Sequence, residues 1–233
     1  MSSVPVAQLD VIVPVFNEEA VLPSFYARLM ALPIPLRPIF IDNASTDGSL
    51  AILRSFPGAV VIEHARNEGY GASLRDGIHY ATAGRIVIID ADCEYPPEAI
   101  PEMVRLLDQY DVVYASRFLK QQKTCMPWMK VAGNQVITRL FNLLFGQQLT
   151  DLYTGSKAFR REAVANLPMH QNGFEHVLEF AARLARAGRR FTEVHVTFAP
   201  RGTGVSKMSH LSETIKYLYY LVVYALTLRK GGW

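Results

Sequence analysis

Cysteine is scarce in this chain: Cys93 and Cys125 are the only two among 233 residues, far apart and in unrelated surroundings. They form no metal-spacing motif and give no disulfide framework, which fits a reducing, cytoplasmic setting. A dominant charge is lacking as well. The 24 Lys and Arg against 21 Asp and Glu leave +3, too mild a balance to argue for a nucleic-acid partner. Met1-Ser2-Ser3-Val4-Pro5 has no basic stretch leading into an apolar one, so no signal peptide is expected. The apolar run Leu218 to Leu228 holds 11 residues, short of the about 20 that a bilayer crossing requires. Internal repeats and low-complexity tracts are absent. Two nucleotide-binding signatures are missing too: Gly69-Tyr70-Gly71-Ala72-Ser73-Leu74 has Leu where a dinucleotide fingerprint needs its third glycine, and no glycine-rich loop ends in Gly-Lys-Ser/Thr. A Rossmann dehydrogenase and a P-loop NTPase are both disfavoured.

What is present centres on one stretch. The β-branched run Ile86 to Ile89 ends in three carboxylates at alternating positions, Asp90, Asp92 and Glu94, followed by Pro96 and Pro97. An unbroken apolar run of this length suits a buried central strand, and the prolines forbid its continuation. Carboxylates gathered at a strand end repel one another unless a cation joins them. Oxygen ligands favour a hard divalent ion, Mg²⁺ or Mn²⁺, which would bridge to a substrate's phosphates. A solvated acidic loop is the plainer alternative for a lone Asp-x-Asp.

The rest of the chain alternates strand and helix. Strands are expected at Leu9 to Val15, Ile39 to Ile41, Ala59 to Glu63, Arg85 to Ile89 and Asp111 to Ala115. Helices follow at Pro23 to Leu32, after Asp47-Gly48 to Phe56, from Gly71 to Ala81 and from Pro97 to Gln109, with Pro33 to Pro38 a stiff connection. The pattern predicts an α/β fold, a mostly parallel sheet covered on both faces. Ligands in such sheets bind beyond the carboxyl ends of the strands, where Asp42, Asp90, Asp92 and Arg117 all fall. The second half adds a helix over Trp128 to Phe145 that is apolar around much of its surface and interrupted by Asn134 and Arg139. A helix over Glu175 to Ala187 and a strand over Arg190 to Phe198 complete it.

Taken in order, the segments Val13-Pro14-Val15-Phe16-Asn17-Glu18, Asp42-Asn43-Ala44-Ser45-Thr46-Asp47-Gly48, Asn67-Glu68-Gly69-Tyr70-Gly71 and Asp90 to Pro97 resemble a family 2 glycosyltransferase of the GT-A fold. Ala115-Ser116-Arg117-Phe118, Asp151 to Arg160 and Arg201-Gly202-Thr203-Gly204-Val205-Ser206-Lys207 extend the resemblance over roughly residues 9 to 210. It is nearest the branch of polyprenyl-phosphate (dolichol-phosphate) mannosyl- and glucosyltransferases. Each motif alone is weak, and their ordered recurrence is specific.

The resemblance implies a GT-A domain over residues 1–210, with 9–117 as the nucleotide-sugar half and 118–210 as the acceptor half. An amphipathic C-terminal helix and tail follow over 211–233. It implies inverting transfer of a hexose from a GDP-mannose or UDP-glucose type donor to a polyprenyl phosphate, with Mg²⁺ or Mn²⁺ as cofactor. Pro14, Phe16, Asn17 and Glu18 match the first-strand motif beside the nucleotide, and Asp42 matches the base-binding acid. The family usually has a second Asp next to it, where this chain has Asn43. Asp90 and Asp92 match the pair that holds the diphosphate, and Asp92, Glu94 and Asp90 are the expected metal ligands. Gly69 is expected near phosphate, although Gly69 and Gly71 also serve a tight turn. Arg117, Arg201 and Lys207 are expected to stabilise phosphate charge. Asp151 is the candidate general base or acceptor orienter, the two roles being equally open because an anionic phosphate acceptor needs little deprotonation.

Plainer roles stand beside these. Asp47 reads first as a helix cap, Cys93 as a packed neighbour, the six histidines as structural or surface groups, and Glu179 as either a family acid or a structural ion pair. The tyrosine-rich C-terminal helix, ending in Arg229-Lys230, suits either a membrane surface or packing on the domain or a second subunit. The alternatives to the lipid-phosphate reading are a family 2 transferase acting on a saccharide or lipid-linked oligosaccharide hydroxyl, and a nucleotide-sugar-binding protein without turnover.

Overall fold

The structure, a computed structural model, describes residues 9–120, 126–197 and 210–228. Seven strands form one sheet in the order β3-β2-β1-β4-β6-β5-β7. The strands β1 (Leu9–Val15), β2 (Arg37–Asp42), β3 (Val60–Glu63) and β4 (Arg85–Ile89) are mutually parallel. The chain steps outward from β1 to β2 and β3, then returns across β1 to β4. This reversal opens a crevice at the carboxyl ends of β1 and β4. Helices α1 (Leu22–Met30), α2 (Ser49–Ser55) and α3 (Tyr70–Tyr80) make the crossovers. The interior strands carry apolar residues to both faces: Ile12, Ile39, Ile86 and Ile88 join one core, Val11, Val13, Phe40 and Val87 the other. That two-sided burial is why their sequences read as continuous apolar runs.

The observed strand bounds match those expected for β1 and β4 and differ at β2, which begins at Arg37 and so includes Pro38. Proline has no N–H to give a ladder, and Pro38 lies ahead of the pairing with β3, which begins at Ile39. The expected helix from Pro97 to Gln109 is shorter, a 3₁₀ turn at Pro97–Ala99 followed by α4 (Ile100–Leu106). Next come β5 (Val112–Ser116) and α5 (Trp128–Phe145), the latter with the bounds read from the sequence.

The larger departure is β6 (Ser156–Arg160), antiparallel to both β4 and β5 and wedged between them. The sequence reading treats this segment only as part of a motif. Because β6 runs backwards, its amino end, with the Asp151 to Gly155 turn before it, lies at the same edge as the carboxyl ends of β4 and β5. The short α6 (Arg161–Val164), α7 (His176–Arg186), β7 (Phe191–His195) and α8 (His210–Thr227) finish the described chain. Helix α8 packs against α5 and α7. Among the described residues no helix is long and apolar enough to cross a membrane.

Candidate active site

Three non-glycine residues among those described have positive φ: Asn17 at 57°, Ala44 at 60° and Cys93 at 61°. They follow β1, β2 and β4, three adjacent strands, at the carboxyl edge. Such conformations cost about 1–3 kcal/mol each and gather where function over-determines the backbone. Each bends its chain so that neighbouring polar groups turn across the strand ends.

On β1, Pro14 is half-buried and pairs with Ile41, and Phe16 follows, also half-buried. The Asn17 carboxamide accepts from the Thr46 N–H at 2.7 Å and donates to Thr46 Oγ1 at 3.2 Å. The Glu18 N–H donates to Ser49 Oγ at 2.8 Å. These bonds staple the first-strand loop to the Ser45–Ser49 turn, so Asn17 is committed to the scaffold. Asp47 takes the Ser49 N–H at 2.9 Å from one residue ahead of the N-cap, Gly48, so it closes the turn before α2 and is not the cap expected of it. Asp42 is buried, its Oδ2 accepting from the Ser45 N–H at 3.1 Å, while its Oδ1 has no hydrogen-bond partner among the described residues.

The Asn43 side chain is turned inward: Oδ1 accepts from the Glu68 N–H at 2.8 Å and faces His64 Nδ1 at 3.0 Å, and Nδ2 donates to Asn67 Oδ1 at 2.9 Å. His64, expected as a structural or surface group, ties this loop to Asp76 at 3.1 Å. Gly69 contributes no open amide, since its N–H donates to Asn67 Oδ1 and the Gly71 N–H donates to Asn172 O. What the position requires is glycine itself: φ is 97°, and a Cβ there would lie 2.3 Å from Asn172 O. The phosphate role expected for Gly69 therefore gives way to an architectural one.

Beyond β4, Asp90 Oδ1 accepts from the Tyr70 hydroxyl at 3.0 Å. On its other side Gly155 packs so closely that an added Cβ would fall 2.1 Å from Asp90 Oδ2. Burial and the Asp90 charge raise the Tyr70 phenol well above its usual range, so it remains a donor. Asp92 Oδ1 accepts the Glu94 N–H at 3.0 Å, folding the loop back on itself at the left-handed Cys93. The three acids do not form a preassembled ligand cage. Among the described residues only His64, Glu68 and Asp76 bring three metal-type ligand atoms within 4.8 Å of one another, and there the His64–Asp76 hydrogen bond explains the proximity. The carboxylate oxygens of Asp92 and Glu94 are of the type that would hold a hard divalent ion.

Asp151 is fully buried and saturated. Its oxygens accept from Arg117 N at 3.1 Å, Arg117 Nε at 2.7 Å, Arg117 Nη2 at 2.9 Å and Asn134 Nδ2 at 2.7 Å. Arg117 also donates to Tyr153 O at 3.2 Å and lies over the rings of Tyr95 and Phe118. Burial opposes its charge, but Tyr95, Asp151 and Glu94 outweigh it and hold the guanidinium firmly protonated. These bonds tie Arg117 and α5 to the turn at Asp151. Glu193 of β7 braces the same turn, accepting from Thr150 N at 2.9 Å and Asp151 N at 3.1 Å. Lys157 on β6 lies beneath, bonded to Thr154 O, and burial pulls it down to about 8. Glu179 takes the structural one of its two expected roles: it pairs with Arg183 at 2.9 Å and accepts from the His170 and Gln171 N–H groups, fixing the loop that supplies Asn172.

Arg201 and Lys207 lie outside the described residues. Sequence reasoning does not find Tyr70, Asn134, Gly155 or Glu193 as site builders. The available signals were a polar residue inside an otherwise apolar helix for Asn134, and a glycine beside a buried turn for Gly155.

Known proteins resemble this arrangement along its length. The glycosyl transferase family 2 model matches residues 10–167. An undecaprenyl-phosphate 4-deoxy-4-formamido-L-arabinose transferase of Serratia proteamaculans is 30% identical over 230 residues, 94% of this chain and 68% of that protein. An uncharacterized glycosyltransferase of Mycobacterium tuberculosis is 30% identical over 201 residues, 86% of this chain and 89% of that one. Among solved structures, glucosyl-3-phosphoglycerate synthase from Mycobacterium tuberculosis, in complex with Mn²⁺, uridine diphosphate and phosphoglyceric acid, superposes with a TM-score of 0.73. Its sequence identity is 18%, with 94% of this chain and 79% of that one covered. The mostly parallel seven-stranded sheet and its flanking helices are thus the GT-A architecture of these glycosyltransferases. By its family match and its relatives, this chain belongs to glycosyl transferase family 2.

Proposed function

We propose that the protein is an inverting, divalent-metal-dependent transferase that moves a hexose from a nucleoside diphospho-sugar to a polyprenyl phosphate at a membrane surface. The observation that carries the acceptor assignment is the double face of α5. Its inner side donates Asn134 to Asp151, and its outer side exposes Met129, Val136 and Leu143. Helix α8, packed alongside, exposes Leu218, Tyr219, Val222 and Leu226. An apolar surface of this extent next to a charged crevice suits an acceptor with a hydrocarbon tail and an anionic head. The Serratia relative is named for undecaprenyl phosphate.

In this reading an oxygen of the acceptor phosphate forms a bond to the anomeric carbon. The bond from that carbon to the donor diphosphate breaks on the opposite face, and its electrons leave with the nucleoside diphosphate. The nucleophile is already anionic and needs no base, which suits a saturated Asp151. Asp151 fixes Arg117, whose buried charge stabilises phosphate charge across the crevice. Asp92 and Glu94 would hold the Mg²⁺ or Mn²⁺, which neutralises the departing diphosphate. Asp90, held by Tyr70 and backed by Gly155, orients the donor.

The test is nucleoside diphosphate release from a panel of sugar donors with Mn²⁺ or Mg²⁺, with and without a short polyprenyl phosphate. Release that depends on the lipid phosphate is expected. Release that ignores it and responds to a saccharide refutes the acceptor, and donor binding without release under any condition refutes turnover.

A further inference from the structure

We infer that Glu193, on the edge strand β7, is a positioning residue for the transfer step, its carboxylate holding Arg117 and Asp151 in place together. This rests on the transferase reading, in which the Arg117 charge stabilises phosphate, and deepens it.

The residue opposite Glu193 on β5 is Tyr114, yet the Glu193 oxygens turn to the 150–151 segment. Oε1 accepts from the Thr150 N–H at 2.9 Å and the Asp151 N–H at 3.1 Å, and Oε2 accepts from the Thr150 hydroxyl at 2.8 Å. The Thr150 hydroxyl has one proton, and Glu193 takes it. In the 2.6 Å contact between Thr150 Oγ1 and Ser116 Oγ the serine is therefore the donor. Ser116 Oγ in turn accepts from the Phe118 N–H at 3.1 Å. The bonds run one way, from Phe118 through Ser116 and Thr150 to the carboxylate, and each polarises the next. Ser116 and Phe118 flank Arg117 in the chain, and the same carboxylate holds the Asp151 N–H. One anion thus fixes the backbone on both sides of the Arg117–Asp151 pair.

Attachment of β7 does not require this acid. The strand pairs with β5 from Val112 to Ser116, and Val194 and Val196 are buried in the core. The charge is also unfavourable where it lies: burial raises the Glu193 carboxyl above its ordinary value and the Asp151 charge adds to this, while the Thr150 and Asp151 donors oppose it. Glutamine has the same shape and avoids that penalty. Its N–H₂ group, however, would meet the Thr150 donors, and the chain to Ser116 would lose its direction. The negative charge is what the arrangement uses. A displacement of about 1 Å at a reacting centre can lower the rate about 10²-fold, so a slack chain here shows in turnover and spares donor binding.

Glu193→Gln and Thr150→Val are compared with the native chain in two assays. One is nucleoside diphosphate release from UDP-glucose and GDP-mannose with Mn²⁺ and farnesyl phosphate, and the other is UDP and GDP affinity by calorimetry. Each variant is expected to lose at least about tenfold in kcat with nucleotide affinity within about twofold. Amide exchange at Phe118 is expected to rise at least about tenfold while that of Ile12 and Ile39 is unchanged. Because both substitutions break one chain, the double variant is expected to lose no more in kcat than the worse single. A kcat within about twofold of native in folded Glu193→Gln overturns the inference. So does an equal loss of kcat and affinity, or exchange that rises in β1 and β2 as well, since either marks a general structural role. If Glu193→Gln does not fold, Thr150→Val decides by the same readings. A folded native chain without release sinks the transferase reading and this inference with it, whereas native release with unimpaired variants sinks this inference alone.

Discussion

Replacing Asp151 by asparagine keeps the shape of the side chain and removes its charge, and it separates a positioning role from a base role. In the native protein Asp151 is fully buried and the Arg117 side chain is 8% exposed, the two joined through Nε at 2.7 Å and Nη2 at 2.9 Å. After Asp151→Asn the guanidinium stays buried and cationic. Its former acceptor now offers one oxygen and an N–H₂ group that meets the Arg117 or Asn134 donors head-on. Breaking a buried pair from one side costs about 3–5 kcal/mol, which for a chain of this length lowers the melting temperature by roughly 10 °C. Urea denaturation at neutral pH measures the loss. The companion Arg117→Met and the double variant close a thermodynamic cycle, and the double variant is expected to be more stable than the Asp151→Asn single by at least about 2 kcal/mol, because no charge is stranded. A loss below about 1 kcal/mol for Asp151→Asn, or strict additivity in the cycle, would refute the view that Asp151 chiefly holds Arg117. A base role predicts a different result: near-native stability with turnover abolished.

Other substitutions test other parts of the site. Gly155→Ala drives a methyl into Asp90 Oδ2, so nucleoside diphosphate affinity measured by calorimetry should fall at least about tenfold while stability drops by about 1–3 kcal/mol; unchanged affinity would mean Asp90 does not orient the donor. His176 is buried with neither ring nitrogen bonded among the described residues, and burial, helped by the charge of Lys157, pulls it down to about 3. The unfolded chain takes this proton near pH 6.5 and the folded chain only near 3, so stability is retained above 6.5 and lost as pH falls between the two. The loss at pH 5 is about 2 kcal/mol. His176→Phe should flatten the profile from pH 7 to 5, and a variant with the native slope would exclude this origin. Leu143→Glu with Leu226→Glu alters two residues that are 79% and 81% exposed, leaves stability within about 0.5 kcal/mol, and should abolish flotation with anionic vesicles. Undiminished flotation would rule out this face as the membrane contact.

The strand ends were legible because burial on both faces leaves a plain mark: Ile86 to Ile89 cannot be anything but interior, and the acids that follow must then lie at an edge. Helix α5 was legible with its bounds, since apolar residues recur around much of its surface from Trp128 to Phe145 despite Asn134 and Arg139. Strand β6 was not. Ser156-Lys157-Ala158-Phe159-Arg160 has no apolar run, its Lys157 is carried into an apolar layer, and nothing local says that it runs backwards between β4 and β5. Without β6 the nearness of Gly155 to Asp90 cannot be foreseen. Motif positions likewise name residues and say nothing of which way a side chain turns. Asn43 and Gly69 are named by the resemblance, and their polar groups are spent within the 64–69 loop.

The exposed apolar helix and the acids are not independent parts. From α8, Lys216 pairs with Glu175 at 2.8 Å, the adjoining Phe174 stacks on Tyr70 with ring centres 5.5 Å apart, and Tyr70 donates to Asp90. By a second path Tyr217 meets the ring of Tyr153 at 4.9 Å, and the Tyr153 carbonyl takes Arg117, which holds Asp151. One path ends at Asp90 and the other at Asp151. Lys216 and Tyr217 therefore belong to the support of the crevice, whereas Leu218, Val222 and Leu226 face outward. A loss of activity on altering the inward pair would carry no information about a membrane, since the acids would move with it. Only the outward set separates attachment from catalysis, and only if nucleotide binding survives its substitution.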